Sequence, residues 1–103
     1  VEEYVTYVKD VYAETKQMST YLLAFVISDF SFTQDKTKNG ITYRAWSRPE
    51  LVRSTEYALE VGVHILNYYE EFFNLKFPLP KQDMIAIPDL SFGAMENWGL
   101  IFY

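Results

Sequence analysis

The spacing of apolar residues changes at Ser47, and this change limits what the chain can fold into. Before Ser47 the pattern is that of strands. Residues 21–27 are continuously apolar and are ended by Ser28 and Asp29, which suits a strand covered on both faces. Phe30 and Phe32 then alternate with Ser31 and Thr33, the period of a strand with one face toward solvent. Residues 35–40 form a polar loop ending in Asn39-Gly40, a strong hairpin signal, and residues 41–46 read as the returning strand. Residues 5–13 mix β-branched and aromatic residues with charges and read as an edge strand.

From Ser47 the pattern is helical. Ser47 and Glu50 have the spacing of a capping box, with Pro49 in the first turn, where its missing N–H costs little. At 100° per residue, Ala58, Val61, Gly62, Ile65, Leu66, Tyr69, Phe72 and Phe73 share one broad face, and Glu56, Glu60, Asn67, Glu70 and Glu71 share the other. The spacing predicts a helix over residues 52–73, dry on the first face and wet on the second. Asn74, Pro78 and Pro80 terminate it. Residues 84–87 are a short strand ended by Pro88, and residues 100–103 begin another. The order is β-β-β-α-β-β, an α+β chain with a boundary near Ser47. Residues 1–47 are expected to pack mainly as a separate β unit.

Composition excludes several functions. The 103 residues carry nine Lys and Arg against fourteen Asp and Glu, for a formal charge of −5. The acids are scattered, with Glu2-Glu3 and Glu70-Glu71 the only adjacent pairs, so they read as solvated surface. The clustered Lys and Arg of a nucleic-acid footprint are missing, so no nucleic-acid partner is expected. With no cysteine, neither a disulfide framework nor a Cys-based metal or nucleophile site can form. The longest apolar run, seven residues, is far short of the ~20 needed to span a bilayer as a helix, so no membrane contact is expected within this segment. Aromatic residues make up 18% of the chain. They form either an aromatic core or surfaces that pack on protein outside it.

The chemistry-bearing segment is residues 88–99, where Gly93 and Gly99 bracket Ala94, Met95, Glu96, Asn97 and Trp98. Glycines let a backbone approach a ligand closely, and Glu96 is a lone carboxylate in an uncharged, aromatic setting. Asn97, before an aromatic residue and a glycine, also suits simple turn stabilisation, and Met95 and Trp98 also suit packing. His64 is the single histidine, four residues after Glu60, and reads as half of a surface ion pair. A His-x-x-x-His pair with its base is not present.

Residues 93–97 read Gly-Ala-Met-Glu-Asn, and this segment closely resembles the exopeptidase motif of the zinc aminopeptidases, the gluzincin family of membrane alanyl aminopeptidase and puromycin-sensitive aminopeptidase. Met18-Ser19-Thr20-Tyr21-Leu22-Leu23-Ala24-Phe25, Trp46-Ser47-Arg48-Pro49, residues 57–73 and Phe77-Pro78-Leu79-Pro80-Lys81-Gln82-Asp83 resemble the same family in the same order. The collinear resemblance covers roughly residues 15–103. It departs from the family at Lys16, where a proline is common.

The resemblance implies that residues 1–47 are the end of a saddle-like N-terminal antiparallel β domain. Residues 48–103 would be the incomplete start of a thermolysin-like catalytic domain, with the remainder of that domain as partner. Glu96 would bind the free α-amino group of a peptide substrate. Gly93 and Ala94 would present backbone beside the substrate, Met95 would line the pocket for the first side chain, and Asn97 would hold the loop. Zinc in the complete enzyme would be bound by a His-Glu-x-x-His motif and a later glutamate, all downstream of Glu96, so this chain is expected to hold no metal ligand and no catalytic residue. The expected activity of the complete enzyme is removal of N-terminal residues from peptides, with the 103-residue chain alone inactive. Membrane-anchored extracellular and cytoplasmic locations both fit the family. Two other readings are open from the residues: a truncated, non-catalytic peptide-binding or regulatory product, and a metal-free hydrolase pairing Asp89 with Glu96.

Overall fold

A computed structural model describes residues 5–103; the Glu2-Glu3 pair lies outside the described residues. Four strands form a single sheet in the order β1 (Ser31–Lys36), β2 (Thr42–Ser47), β3 (Lys81–Ile85), β4 (Leu100–Phe102). β1 and β2 are an antiparallel hairpin, while β2–β3 and β3–β4 pair in parallel. A 3-10 helix, Pro49–Thr55, leads into α1 (Glu56–Phe73), the crossover between the parallel strands β2 and β3. The α+β class thus appears as one helix on a mixed sheet. β1 and β2, before Ser47, share that sheet with β3 and β4, so no seam in the hydrogen bonding falls at Ser47.

The hairpin forms where its turn residues predict. Gly40 N–H donates to the Thr37 carbonyl at 2.9 Å, and Thr37 Oγ1 accepts from Ile41 N–H at 3.1 Å. Gly40 has φ 81°, a left-handed conformation that glycine adopts without steric cost. The face of β1 is the reverse of the expected one. Thr33 turns inward, its Oγ1 2.8 Å from that of Thr55. Phe32 lies on the outer face, its ring 4.5 Å from Trp46 with the Arg44 guanidinium over both.

The capping box does not form. Ser47 is the buried last residue of β2, and its Oγ donates to the Arg48 carbonyl instead. Without that cap the first turns run as 3-10 helix, and the α-helix proper begins at Glu56. Asn74 ends it in the left-handed region, with φ 50°. Asn74 N–H reaches Glu71 O at 3.2 Å and Leu75 N–H reaches Glu70 O at 3.1 Å, the paired bonds of a Schellman ending. The prolines follow a helix already terminated.

The buried face of α1 is also not the expected one. Leu59, Gly62, Val63 and Glu70 are buried, while Ala58, Ile65, Tyr69 and Phe72 are exposed. At 100° per residue this is a rotation of roughly 80°. Leu59 and Val63 pack with Tyr43 and Ala45 into the core, flanked by Leu66 and Met84. Asn67 and Glu70, expected in water, are taken up by the hairpin and the helix exit. Asn67 Oδ1 accepts Lys38 N–H at 3.0 Å, and Glu70 accepts Asn39 Nδ2 at 2.9 Å and Phe77 N–H at 2.7 Å. A buried carboxylate is tolerable when its lone pairs are occupied in this way.

Two expected strands are not formed. Residues 5–13 lie outside any ladder with their side chains exposed, Tyr7 and Val8 each at 87%. Residues 21–27 also lie outside any ladder, after a 3-10 turn, Thr20–Leu22. Leu22, Ala24 and Val26 are half-buried, whereas Tyr21, Leu23, Phe25 and Ile27 are exposed. A strand needs a facing row of N–H and C=O groups, and neither stretch is paired with one of the four strands.

Candidate functional site

The sheet positions residues 93–97. Met95 exchanges both main-chain hydrogen bonds with Phe102, at 2.9 and 3.0 Å, as an antiparallel bridge on the free edge of β4. Beyond it the chain turns, Leu100 N–H donating to Asn97 O at 3.1 Å, and re-enters the sheet as β4. Gly99 makes this turn with φ 81°, and a Cβ there would meet Leu79 Cδ1 at 3.0 Å. The Gly99 carbonyl accepts from Asp83 N–H at 3.0 Å and from Lys81 Nζ at 2.8 Å. Lys81 in turn pairs with the buried Asp83 at 2.7 Å. Gly93 has no such demand: it is exposed, and nothing lies within 4 Å of where its Cβ would be.

Within this frame Met95 is half-buried, Asn97 is 5% exposed, and Ala94 and Glu96 are exposed. All five expected substrate-binding residues thus lie on one irregular edge segment between β3 and β4, outside any helix. Asn97 works inward: its Nδ2 reaches the Tyr21 carbonyl at 3.4 Å, while its Oδ1 is buried without a partner among the described residues. Asp89 lies in an exposed turn with φ 58°. His64 is exposed, and its Nδ1 lies 2.8 Å from the carbonyl oxygen of Glu60, so the expected side-chain ion pair is replaced by a main-chain contact.

The segment has a neighbour that the sequence reading did not assign to the site. Trp98 N–H donates to Leu22 O at 3.3 Å, and the Tyr21 hydroxyl lies 3.5 Å from Glu96 Oε1. Tyr21 and Glu96 are 75 residues apart. Nothing in local spacing links them, and the continuous apolar run concealed the tyrosine as a core residue.

Among the described residues no group of three or more His, Cys, Asp or Glu side chains could hold a metal ion. The residues present do not fit a zinc site. Among them, too, no helix is long and apolar enough to cross a membrane.

The edge segment between the two glycines presents one exposed carboxylate, Glu96, and comparison with known proteins gives the chain's family. Residues 57–103 match the Peptidase family M1 domain. The chain is 55% identical over 89 residues to an aminopeptidase N of Haemonchus contortus, covering 86% of this chain and 9% of that protein. It is 47% identical over 96 residues to endoplasmic reticulum aminopeptidase 1 of Mus musculus, covering 93% and 10%. To a puromycin-sensitive aminopeptidase of Caenorhabditis elegans it is 42% identical over 92 residues, covering 89% and 10%. The chain belongs to the M1 aminopeptidase family, whose members are generally zinc-dependent. It spans about a tenth of the length of these relatives.

Proposed function

We propose that this chain is a segment of a zinc-dependent aminopeptidase that hydrolyses the N-terminal residue of peptides, and that it carries the part that recognises the substrate N-terminus. The observation that supports this most is the exposed carboxylate of Glu96, held on a sheet edge by the Met95–Phe102 bridge on one side and the buried Asn97 on the other. A substrate ammonium leaving water needs an acceptor, and a carboxylate supplies a charge-assisted hydrogen bond. An acylated amine or a chain interior would cover Glu96 without pairing it, which is costly. Gly93 and Ala94 would lie beside the substrate main chain, Met95 would line the pocket for its first side chain, and Asn97 would hold the segment in place. Residues 1–47 would belong to the end of a saddle-like β domain and residues 48–103 to the start of a thermolysin-like domain, whose remainder is the natural partner. Zinc would be bound by residues outside this chain.

In the full-length enzyme, Glu96→Ala is expected to lower kcat/KM for free-amine peptides by at least about 10- to 100-fold, the worth of a charged hydrogen bond. Unchanged kcat/KM in a folded variant would refute the role of Glu96. The isolated 103-residue chain is expected not to hydrolyse an aminoacyl anilide, because its sequence holds one histidine and no His-Glu-x-x-His motif. Turnover that persists after rigorous purification would refute that expectation.

A further inference from the structure

The 3-10 turn Thr20–Leu22 clasps the recognition segment through three polar contacts at successive residues. Tyr21 hydroxyl faces Glu96 Oε1 at 3.5 Å, the Tyr21 carbonyl accepts from Asn97 Nδ2 at 3.4 Å, and the Leu22 carbonyl accepts from Trp98 N–H at 3.3 Å. The last two fix the backbone on which Tyr21 rides. They also provide the buried Asn97 amide with its protein partner, leaving Oδ1 alone without one among the described residues. The Tyr21 side chain is 61% exposed, so its position is not explained by core packing. It lies beside the one carboxylate of the segment, on the same open surface.

We propose that Tyr21 is a positioning residue for N-terminus recognition: its hydroxyl holds one oxygen of the Glu96 carboxylate and leaves the other for the substrate ammonium. This rests on the reading of Glu96 given above. An unconstrained glutamate loses rotamer freedom when it captures a ligand, and a carboxylate already oriented loses less. Tyr21 thereby joins the otherwise unladdered N-terminal segment to the specificity of the site. The elements meet there by tertiary contact alone.

The test is a double-mutant comparison in the full-length enzyme, with an aminoacyl anilide as substrate. Tyr21→Phe is expected to raise KM by about 3- to 10-fold with a smaller change in kcat, the scale of an ordinary hydrogen bond, as suits an exposed contact at 3.5 Å. In the Glu96→Ala background the same substitution is expected to do nothing, because its partner is gone. The ratio of inhibition constants for a competitive inhibitor with a free amine and its des-amino counterpart gives a reading independent of the fraction folded. Tyr21→Phe is expected to narrow that ratio. Unchanged KM and ratio, or the same loss in both backgrounds, would overturn the role of Tyr21 while leaving Glu96 as recognition residue. An unaffected Glu96→Ala enzyme would instead overturn the reading on which the proposal stands.

Discussion

Tyr43 shows how one residue can couple the core to pH. Its ring is 6% exposed, held between α1 and the sheet. Burial of the phenol, with Tyr103 nearby as a second cause, pushes its pKa from 10.0 up to about 12. The protonated form is therefore the one the fold favours. Its contribution to stability is fully present below pH 10, where the unfolded tyrosine is also neutral. It is lost as pH rises from about 10 through about 12. Tyr43→Phe cannot ionise, so the stability difference between native and variant protein, measured by denaturant unfolding from pH 8 to above 11, is expected to move in favour of the variant across that window. A pH-independent difference would mean that Tyr43 ionises as freely in the fold as outside it.

Element by element, the helix–sheet contact is close, and a glycine permits it. A Cβ at Gly62 would lie 2.8 Å from three atoms of the Tyr43 ring, so α1 can approach β2 only because that position has no side chain. Gly62→Ala should gain up to ~1 kcal/mol of helix propensity and lose ~1–3 kcal/mol to overpacking against a buried ring. We expect a net loss of up to roughly 3 kcal/mol by denaturant unfolding, and a gain when the same substitution is made in, and measured against, a Tyr43→Leu background. A stabilised single variant would mean that the ring yields freely. This contact also explains which parts of the fold were legible in the sequence. Local patterns located the hairpin, the end of α1 at Asn74 and β4, because turn residues and breakers act over a few positions; β3 runs Lys81–Ile85, earlier in the chain than the strand expected over residues 84–87. The helix face was misread because α1 has more apolar surface than the sheet covers. The close seat of Gly62 on the Tyr43 ring goes with the Leu59-Val63 stripe turning inward and Ala58-Ile65 staying exposed. Likewise residues 93–97 could be singled out by their glycines and lone carboxylate, whereas their edge bridge to Phe102 and their neighbour Tyr21 depend on tertiary contacts.

At the scale of the molecule, the helix lies over β1 and β2 and leaves an apolar groove toward β3 and β4. About 530 Å³ in volume, it is lined by Ala58, Ile65 and Tyr69 from α1 and by Met84, Ile101 and Tyr103 from the sheet side. These helix residues belong to the face that periodicity marked as apolar, so the pattern was real and its surface is unfilled among the described residues. Beyond the groove the helix continues into an exposed aromatic run, Tyr68 stacked on Phe72 and Tyr69 on Phe73. Elsewhere Leu23, Phe25 and Ile27 are 65%, 76% and 91% exposed. Apolar surface on this scale is unusual for a chain that folds alone and marks contact with other protein, and residues 21–27 add unpaired backbone to it. The isolated 103-residue chain is therefore expected to self-associate in a concentration-dependent way in sedimentation velocity and to bind an apolar fluorescent dye. Covering the groove in the full-length enzyme should abolish the dye signal. A dilute monomer that unfolds in one sharp transition and leaves the dye dark would show that these residues close their own core, and that the helix face along the groove needs no partner.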